Sequence, residues 1–420
     1  MKKFLIFAFL IRILFIFGPY HPDLGNHLDW GNRFWEYGPK NFYSASVWSV
    51  GWPNQPPGTI YLWAGVSKIN DIVFSFFWWL NLKFPLFPSN IIPFLKVYLH
   101  PALVKLPSVL AEIGIGWIIF LLVSKYGDRK KALFSSALFL FNPAIIYNSA
   151  IWGQTDGIIN FFALLSFYLA LKNKHFLSLF IFCLSVYFKF SLIIFFPVLL
   201  IVFLKKEISL KKILVSGLIA VVIFIFISLP FSKGNPVLWI FNLYKDRIVG
   251  GQGNMLTANA YNLWAMIYGI DFSRTDQGIF LGLTYKWWGW IIFLIFSGSV
   301  LFQFFVKRLT SQSLLLTLSL ISFSAFLFLT NMHERYLYPV FPYLAILVVL
   351  QAVPLWFYLV ISCIHLLNLY NLWFYPEIPG LKEFLSYRIF LPCRLMSFIL
   401  ILLFLQLYSF LLRSKSGKIA

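Results

Sequence analysis

The sequence predicts an all-α polytopic membrane protein, and three observations carry that prediction. Only 11% of its 420 residues are charged, against 60% hydrophobic and 21% aromatic; a water-soluble domain carries roughly 25% charged residues. Mean hydropathy is +0.81. Apolar runs recur along the whole chain, and about 20 apolar residues span a bilayer. The formal net charge of +20 then belongs to the membrane. Its cations sit in scattered short loops, where Lys and Arg are retained on the cytoplasmic side and meet anionic headgroups. They form no contiguous basic face, so no nucleic-acid partner is expected.

Taken in order, about 12 transmembrane helices are expected, near 4–17, 102–123, 132–149, 157–171, 176–188, 190–204, 213–230, 287–306, 312–330, 336–353, 354–373 and 391–412. The first begins after Lys2 and Lys3 and carries Arg12, with no small-residue cleavage site behind it. It reads as a retained helix, not a signal peptide. The segment 56–82 opens with Pro56 and Pro57, as helices do, but Lys68 and Asp71 interrupt it. Charge placement decides its reading. With this segment lying in the interface plane, five basic clusters share the side of Lys2 and Lys3. These are Lys125/Arg129/Lys130/Lys131, Lys172/Lys174, Lys205/Lys206/Lys211/Lys212, Lys307/Arg308 and Arg413/Lys415/Lys418. Counted as a span, it would put all of them on the opposite side.

The expected arrangement is therefore a multi-pass protein of the cytoplasmic (plasma) membrane with both termini cytoplasmic. It has two large outer elements, a first external loop at 18–101 and a second at 231–286, within one integral domain, 1–420, without internal repeats. Cys183, Cys363 and Cys393 have neither metal spacing nor a disulfide framework and read as packing residues.

Every polar-rich motif falls on the expected outer side. His21-Pro22-Asp23-Leu24-Gly25-Asn26-His27-Leu28-Asp29-Trp30 gathers two carboxylates, two imidazoles, an amide and an indole. Asp23 can cap a helix, and Asp29 can pair with Arg33 four residues on. In this company a carboxylate also suits a general base taking a proton from a sugar hydroxyl. Downstream, Trp48 and Trp52-Pro53-Asn54-Gln55-Pro56-Pro57 place aromatic rings beside amides. That composition fits an interfacial belt and also a sugar, whose C–H faces pack on rings. Trp152-Gly153-Gln154-Thr155-Asp156 joins two spans. Lys189 stands at a hairpin tip, where a charge at membrane depth is functional unless it snorkels. His333-Glu334-Arg335 closes a late turn, and Arg suits phosphate.

An acidic base and a cationic cradle flush with a bilayer point to sugar transfer from a lipid phosphate. The donor would be a polyprenyl-phosphate sugar, its phosphate held by Lys189, His333 and Arg335. Trp30, Gln154, Asp156 and Glu334 would line the substrate. The phosphate leaves as a stable anion that protein cations can stabilise. No close acidic pair suggests a divalent metal, and no cofactor is expected.

The ordered motifs resemble the GT-C superfamily of polyprenyl-phosphate-sugar-dependent glycosyltransferases. The likeness is to the dolichyl-phosphate-glucose glucosyltransferases of lipid-linked oligosaccharide assembly and to prokaryotic mannosyltransferase-like relatives. The landmarks are Asp23 seven residues before Trp30, Trp52 to Pro57, Gly153-Gln154 with Asp156, Phe188-Lys189-Phe190, and His333-Glu334. They cover roughly residues 1–340. The resemblance implies a GT-C fold, an Asp base at position 23, a metal-independent inverting transfer of glucose or mannose, and an external active site. Its acceptor would be a lipid- or protein-linked glycan. Where that family has Arg-His just before the Trp, this chain has Leu28-Asp29, which makes Asp29 a second candidate base. The competing readings are a lipid-linked-sugar flippase or transporter, a polysaccharide polymerase or ligase, and a non-enzymatic assembly subunit.

Overall fold

The computed structural model describes residues 1–125, 128–251, 253–386 and 391–413. Lys415 and Lys418, counted above among the inner cations, lie outside them. The described residues are all-α apart from one two-stranded hairpin, β1 (Ile279–Phe280) with β2 (Leu283–Thr284). The helices are α1 (Lys2–Ile16), α2 (Pro22–Tyr37), α3 (Pro39–Phe42), α4 (Pro57–Lys83), α5 (Ile91–Val123), α6 (Arg129–Leu140), α7 (Pro143–Ile146), α8 (Asp156–Leu171), α9 (His175–Phe188) and α10 (Phe196–Lys205). Next come α11 (Leu210–Ser228), α12 (Pro236–Asn242), α13 (Leu263–Tyr268), α14 (Tyr285–Val306), α15 (Ser311–Phe328), α16 (Val340–Val349), α17 (Leu355–Trp373), α18 (Pro379–Ser386) and α19 (Leu391–Arg413). Wider π turns run over Tyr147–Trp152 and Leu243–Val249.

Six of these are long and apolar enough to cross a membrane: α5, α11 with its following turn, α14, α15, α17 and α19. The bent pair Arg129–Leu140 and Pro143–Trp152 makes a seventh if counted as one span. This is a polytopic membrane protein. All twelve expected segments are largely helical, yet not all have a span's length. Helices α1, α8 and α9 have 15, 16 and 14 residues. At about 1.5 Å rise per residue they fall short of a hydrocarbon layer about 30 Å thick. The bend has a local cause. Pro143 cannot continue the backbone ladder, and Asn142 caps the new start, accepting from the Ala144 N–H at 2.9 Å.

The described chain forms two compact units, each assembled from separate stretches: 1–115, 146–193 and 209–251 in the first, and 116–145, 194–208 and 252–420 in the second. In the first unit, α2 crosses α4 so closely that a Cβ on Gly31 would stand 2.6 Å from the Trp63 carbonyl oxygen. Trp35 donates its indole N–H to the Ala64 carbonyl at 2.9 Å, and Ser67 donates to Asn32 Oδ1 at 2.7 Å. Helix α4 is unbroken where an interruption was expected. Lys68 and Asp71 are exposed, and the Lys68 ammonium lies 5.7 Å from the Trp35 ring centroid. Beyond Ser67 the helix shows exposed apolar side chains, among them Ile72, Phe76 and Trp79.

Arg12 does not break α1. It is fully buried and paired with the equally buried Glu112 of α5, Nε to Oε2 at 2.7 Å. Its Nη1 donates back to the Ala8 carbonyl at 3.1 Å, and Ser149 Oγ donates to the same Glu112 oxygen at 2.8 Å. Removing one partner of a buried pair strands the other charge, at a cost of about 3–5 kcal/mol. In the second unit, α15 packs on α14, α16 and α19 and is buried along most of its length.

Arg12→Leu should lower the thermal unfolding midpoint of the purified protein steeply, and adding Glu112→Leu should recover most of the loss. A double variant no more stable than the single one would show that charge pairing is not what joins α1 to α5.

Candidate functional site

Asp23 sits in the first turn of α2. His21 caps that helix, its Nδ1 accepting the Asp23 backbone N–H at 3.2 Å, and Pro22 fits the first helical position. The Asp23 side chain is 37% exposed, with Oδ1 3.5 Å from His21 Nδ1. Its Oδ2 accepts a hydrogen bond from Gln154 Nε2 at 2.8 Å, across 131 residues of sequence.

Gln154 reaches Asp23 because of how the preceding chain turns. The π turn Tyr147–Trp152 ends at Gly153, whose φ of +95° is left-handed and suits glycine. A Cβ there would also meet Leu24 Cδ1 at 2.1 Å. The Gln154 N–H returns to the Asn148 carbonyl at 2.9 Å, closing the turn. Beside it, the His21 N–H donates to the Trp152 carbonyl at 3.2 Å, and the two rings lie 4.6 Å apart. The start of the first loop is thus seated on the Trp152–Asp156 turn at four adjoining points.

Asp156 opens α8 and is buried. Lys189, immediately after α9, extends its ammonium to Asp156 Oδ1 at 3.0 Å. Thr59 of α4 donates its hydroxyl to the Phe188 carbonyl and fixes the Lys189 turn. Asp23, Gln154, Asp156 and Lys189, read separately in the sequence, therefore gather within the first unit.

His333, Glu334 and Arg335 belong to the second unit and form their own group. Glu334 is fully buried and accepts from Arg335 Nη1 at 2.9 Å. The turn pairs with the strap 255–262: Ala258 N–H donates to the Met332 carbonyl, and Asn331 N–H to the Met255 carbonyl, both at 3.0 Å. Asn368 of α17 pins that strap, donating to the Asn259 carbonyl at 2.6 Å and accepting the Tyr261 N–H at 3.0 Å.

The other two predicted site residues are engaged in holding the first loop. Asp29 accepts from Arg33 Nε at 2.8 Å and from the Ser49 N–H and hydroxyl, each at 2.8 Å. That hydrogen bond raises the pKa of Arg33 further. Trp30 is buried, and its indole N–H donates to the Gly51 carbonyl at 2.8 Å. The loop is closed by Tyr43, whose phenol burial holds well above its usual pKa. It stays protonated and donates to the Gln55 carbonyl at 2.7 Å.

Sequence reasoning missed Lys105. It is fully buried on α5, and its Nζ donates to the carbonyls of Gly18 and Pro19 at 3.3 and 3.0 Å. A cation suits the carbonyl end of α1, and these carbonyls directly precede the turn into Asp23. The apolar run 102–123 carried no sign of it, because the partners lie 86 and 87 residues away.

With this geometry in view, the chain was compared with known families. Residues 68–246, somewhat under half the chain, match the family model for GPI transamidase subunit PIG-U. No curated protein shows significant similarity to the chain. The matched stretch holds Gln154, Asp156 and Lys189; it excludes Asp23 and the 333–335 turn.

Lys105→Met should loosen the entry into α2. By hydrogen exchange, peptides covering Tyr20–Gly25 should lose about tenfold or more of their protection, while Lys105→Arg retains most of it. Equal protection in Lys105→Met would remove Lys105 from the support of Asp23.

Proposed function

We propose that the chain is a membrane glycosyltransferase. It moves a hexose, glucose or mannose, from a polyprenyl-phosphate donor to a lipid- or protein-linked glycan at the extracytoplasmic face of the cytoplasmic membrane. The observation that supports this most directly is Asp23: a partly exposed carboxylate fixed by Gln154 on the turn that also carries the Asp156–Lys189 pair.

In this reading Asp23 takes the proton from the acceptor hydroxyl as that oxygen attacks the anomeric carbon. The bond from anomeric carbon to phosphate oxygen breaks on the opposite side, with inversion. Polyprenyl phosphate departs as an anion, and Asp23 passes its proton to water. Gln154 holds the carboxylate in one orientation, which supplies positioning. Lys189, oriented by Asp156, supplies positive charge that the departing phosphate needs.

A second reading is a non-catalytic subunit that handles a lipid-linked glycan within a larger complex. The family match favours it, because the family's description is that of a complex subunit and the matched residues include the Gln154 turn.

Reconstituted protein given polyprenyl-phosphate glucose or mannose and a glycan acceptor should transfer sugar, also in the presence of EDTA. Asn caps helices as well as Asp, so Asp23→Asn should remain folded while turnover drops by about 10²–10⁴-fold. Undiminished transfer in that variant would remove Asp23 from the base role. Wild-type protein that binds a lipid-linked glycan yet transfers from neither donor would favour the subunit reading.

A further inference from the structure

The Trp52-Pro53-Asn54-Gln55 stretch plays no part in the transfer chemistry above, yet it is held at several points. The Trp52 indole N–H donates to the Ala45 carbonyl at 3.3 Å, as Trp48 does at 3.2 Å. The Tyr43 ring packs against it at 6.2 Å between centroids. The indole is therefore locked in place. On it lies the guanidinium of Arg247, from the π turn Leu243–Val249, with Cζ 3.6 Å from the ring centroid.

Arg247 is exposed, and among the described residues its guanidinium makes no hydrogen bond or ion pair. Stacking fixes the plane of the fork while leaving its N–H donors unspent. Lys245 is exposed on the same turn, where Asp246 is the one acid. Lys233 donates to Ser44 Oγ at 2.8 Å, on the loop that Trp52 closes. Phe241 and Val249, on either side of Arg247 in the chain, are 61% and 54% exposed. A flat cation with free donors, next to exposed apolar side chains, matches a phosphate that arrives on a lipid.

We propose that Arg247 stacked on Trp52 is a binding site for the phosphate of a membrane-borne lipid, built from residues other than the Lys189–Asp156 pair. It stands whether or not the chain transfers sugar, because it uses none of the residues assigned to that reaction.

The test uses full-length protein and phosphatidic acid as probe, with phosphatidylcholine as the neutral control and inorganic phosphate as competitor. Bound lipid is counted by native mass spectrometry. Wild type should retain phosphatidic acid over phosphatidylcholine, and Arg247→Gln should weaken that retention about tenfold. Arg247→Lys should fall between them, because an ammonium lacks the planar fork. Trp52→Leu should weaken it by removing the platform. Displacement by millimolar inorganic phosphate would mean that the site reads the phosphate alone; resistance to it would mean that the lipid tail contributes. Either supports an oxyanion site. If Arg247→Gln, with an unchanged melting temperature, retains phosphatidic acid as wild type does, the proposal is overturned and Arg247 only packs. Because the readout is binding, a failure of sugar transfer leaves this result distinct.

Discussion

The structure of the first unit depends on one buried ion pair, Arg12 with Glu112. Neither charge can be solvated where it lies, so each must be satisfied by protein. The solution joins three elements: α1 through the guanidinium, α5 through the carboxylate, and the π turn Tyr147–Trp152 through the Ser149 hydroxyl. Earlier on α5, Lys105 repeats the logic with the carbonyls at the end of α1. The entry into α2 is then constrained. With Gly18 and Pro19 held, His21 meets Trp152 and Asp23 meets Gln154. The candidate site is the partly exposed end of a run of polar contacts that begins in the apolar interior.

The turn that receives Asp23 has its own constraint. A π turn places more residues per revolution than an α-helix and is found often at functional sites. Here it delivers the chain to Gly153 in a left-handed conformation, and the next residue turns its side chain toward α2. A residue with a Cβ at 153 would be strained in backbone and would press on Leu24. Gln154 is thus aimed by a backbone feature, while the side chain supplies only reach and donors.

The fold class was legible because composition reports it directly: too few charges for a soluble core and apolar runs throughout. Helix positions were legible too. The in-plane candidate at 56–82 is the single helix Pro57–Lys83, and the i, i+4 spacing of Asp29 and Arg33 does make an ion pair. The number of full-length spans was not. An apolar run of 14–16 residues looks like a span in sequence, and only the turns at 153 and 189 set its length. Buried charges escape a sequence reading for a related reason. Arg12 looks like an interruption and Lys105 gives no signal, because the groups that satisfy them are 86 to 100 residues distant. Arg247 is hidden in the same way, since its partner Trp52 comes from the other end of the first unit's sequence.

Two carboxylates on one short helix illustrate what coordinates add to a motif. Asp23 and Asp29 are six residues apart on α2, and composition alone treats them alike. Asp29 is 10% exposed and spends both oxygens on Arg33 and Ser49, which fold the first loop back onto α2. A base must accept a proton from a ligand, and taking one here would break contacts that shape the loop. Asp23 is oriented by a neutral amide, and 37% of its side chain remains open. That contrast, between an acid whose oxygens hold the loop and one that stays partly open, is why Asp23 and not Asp29 is the proposed base.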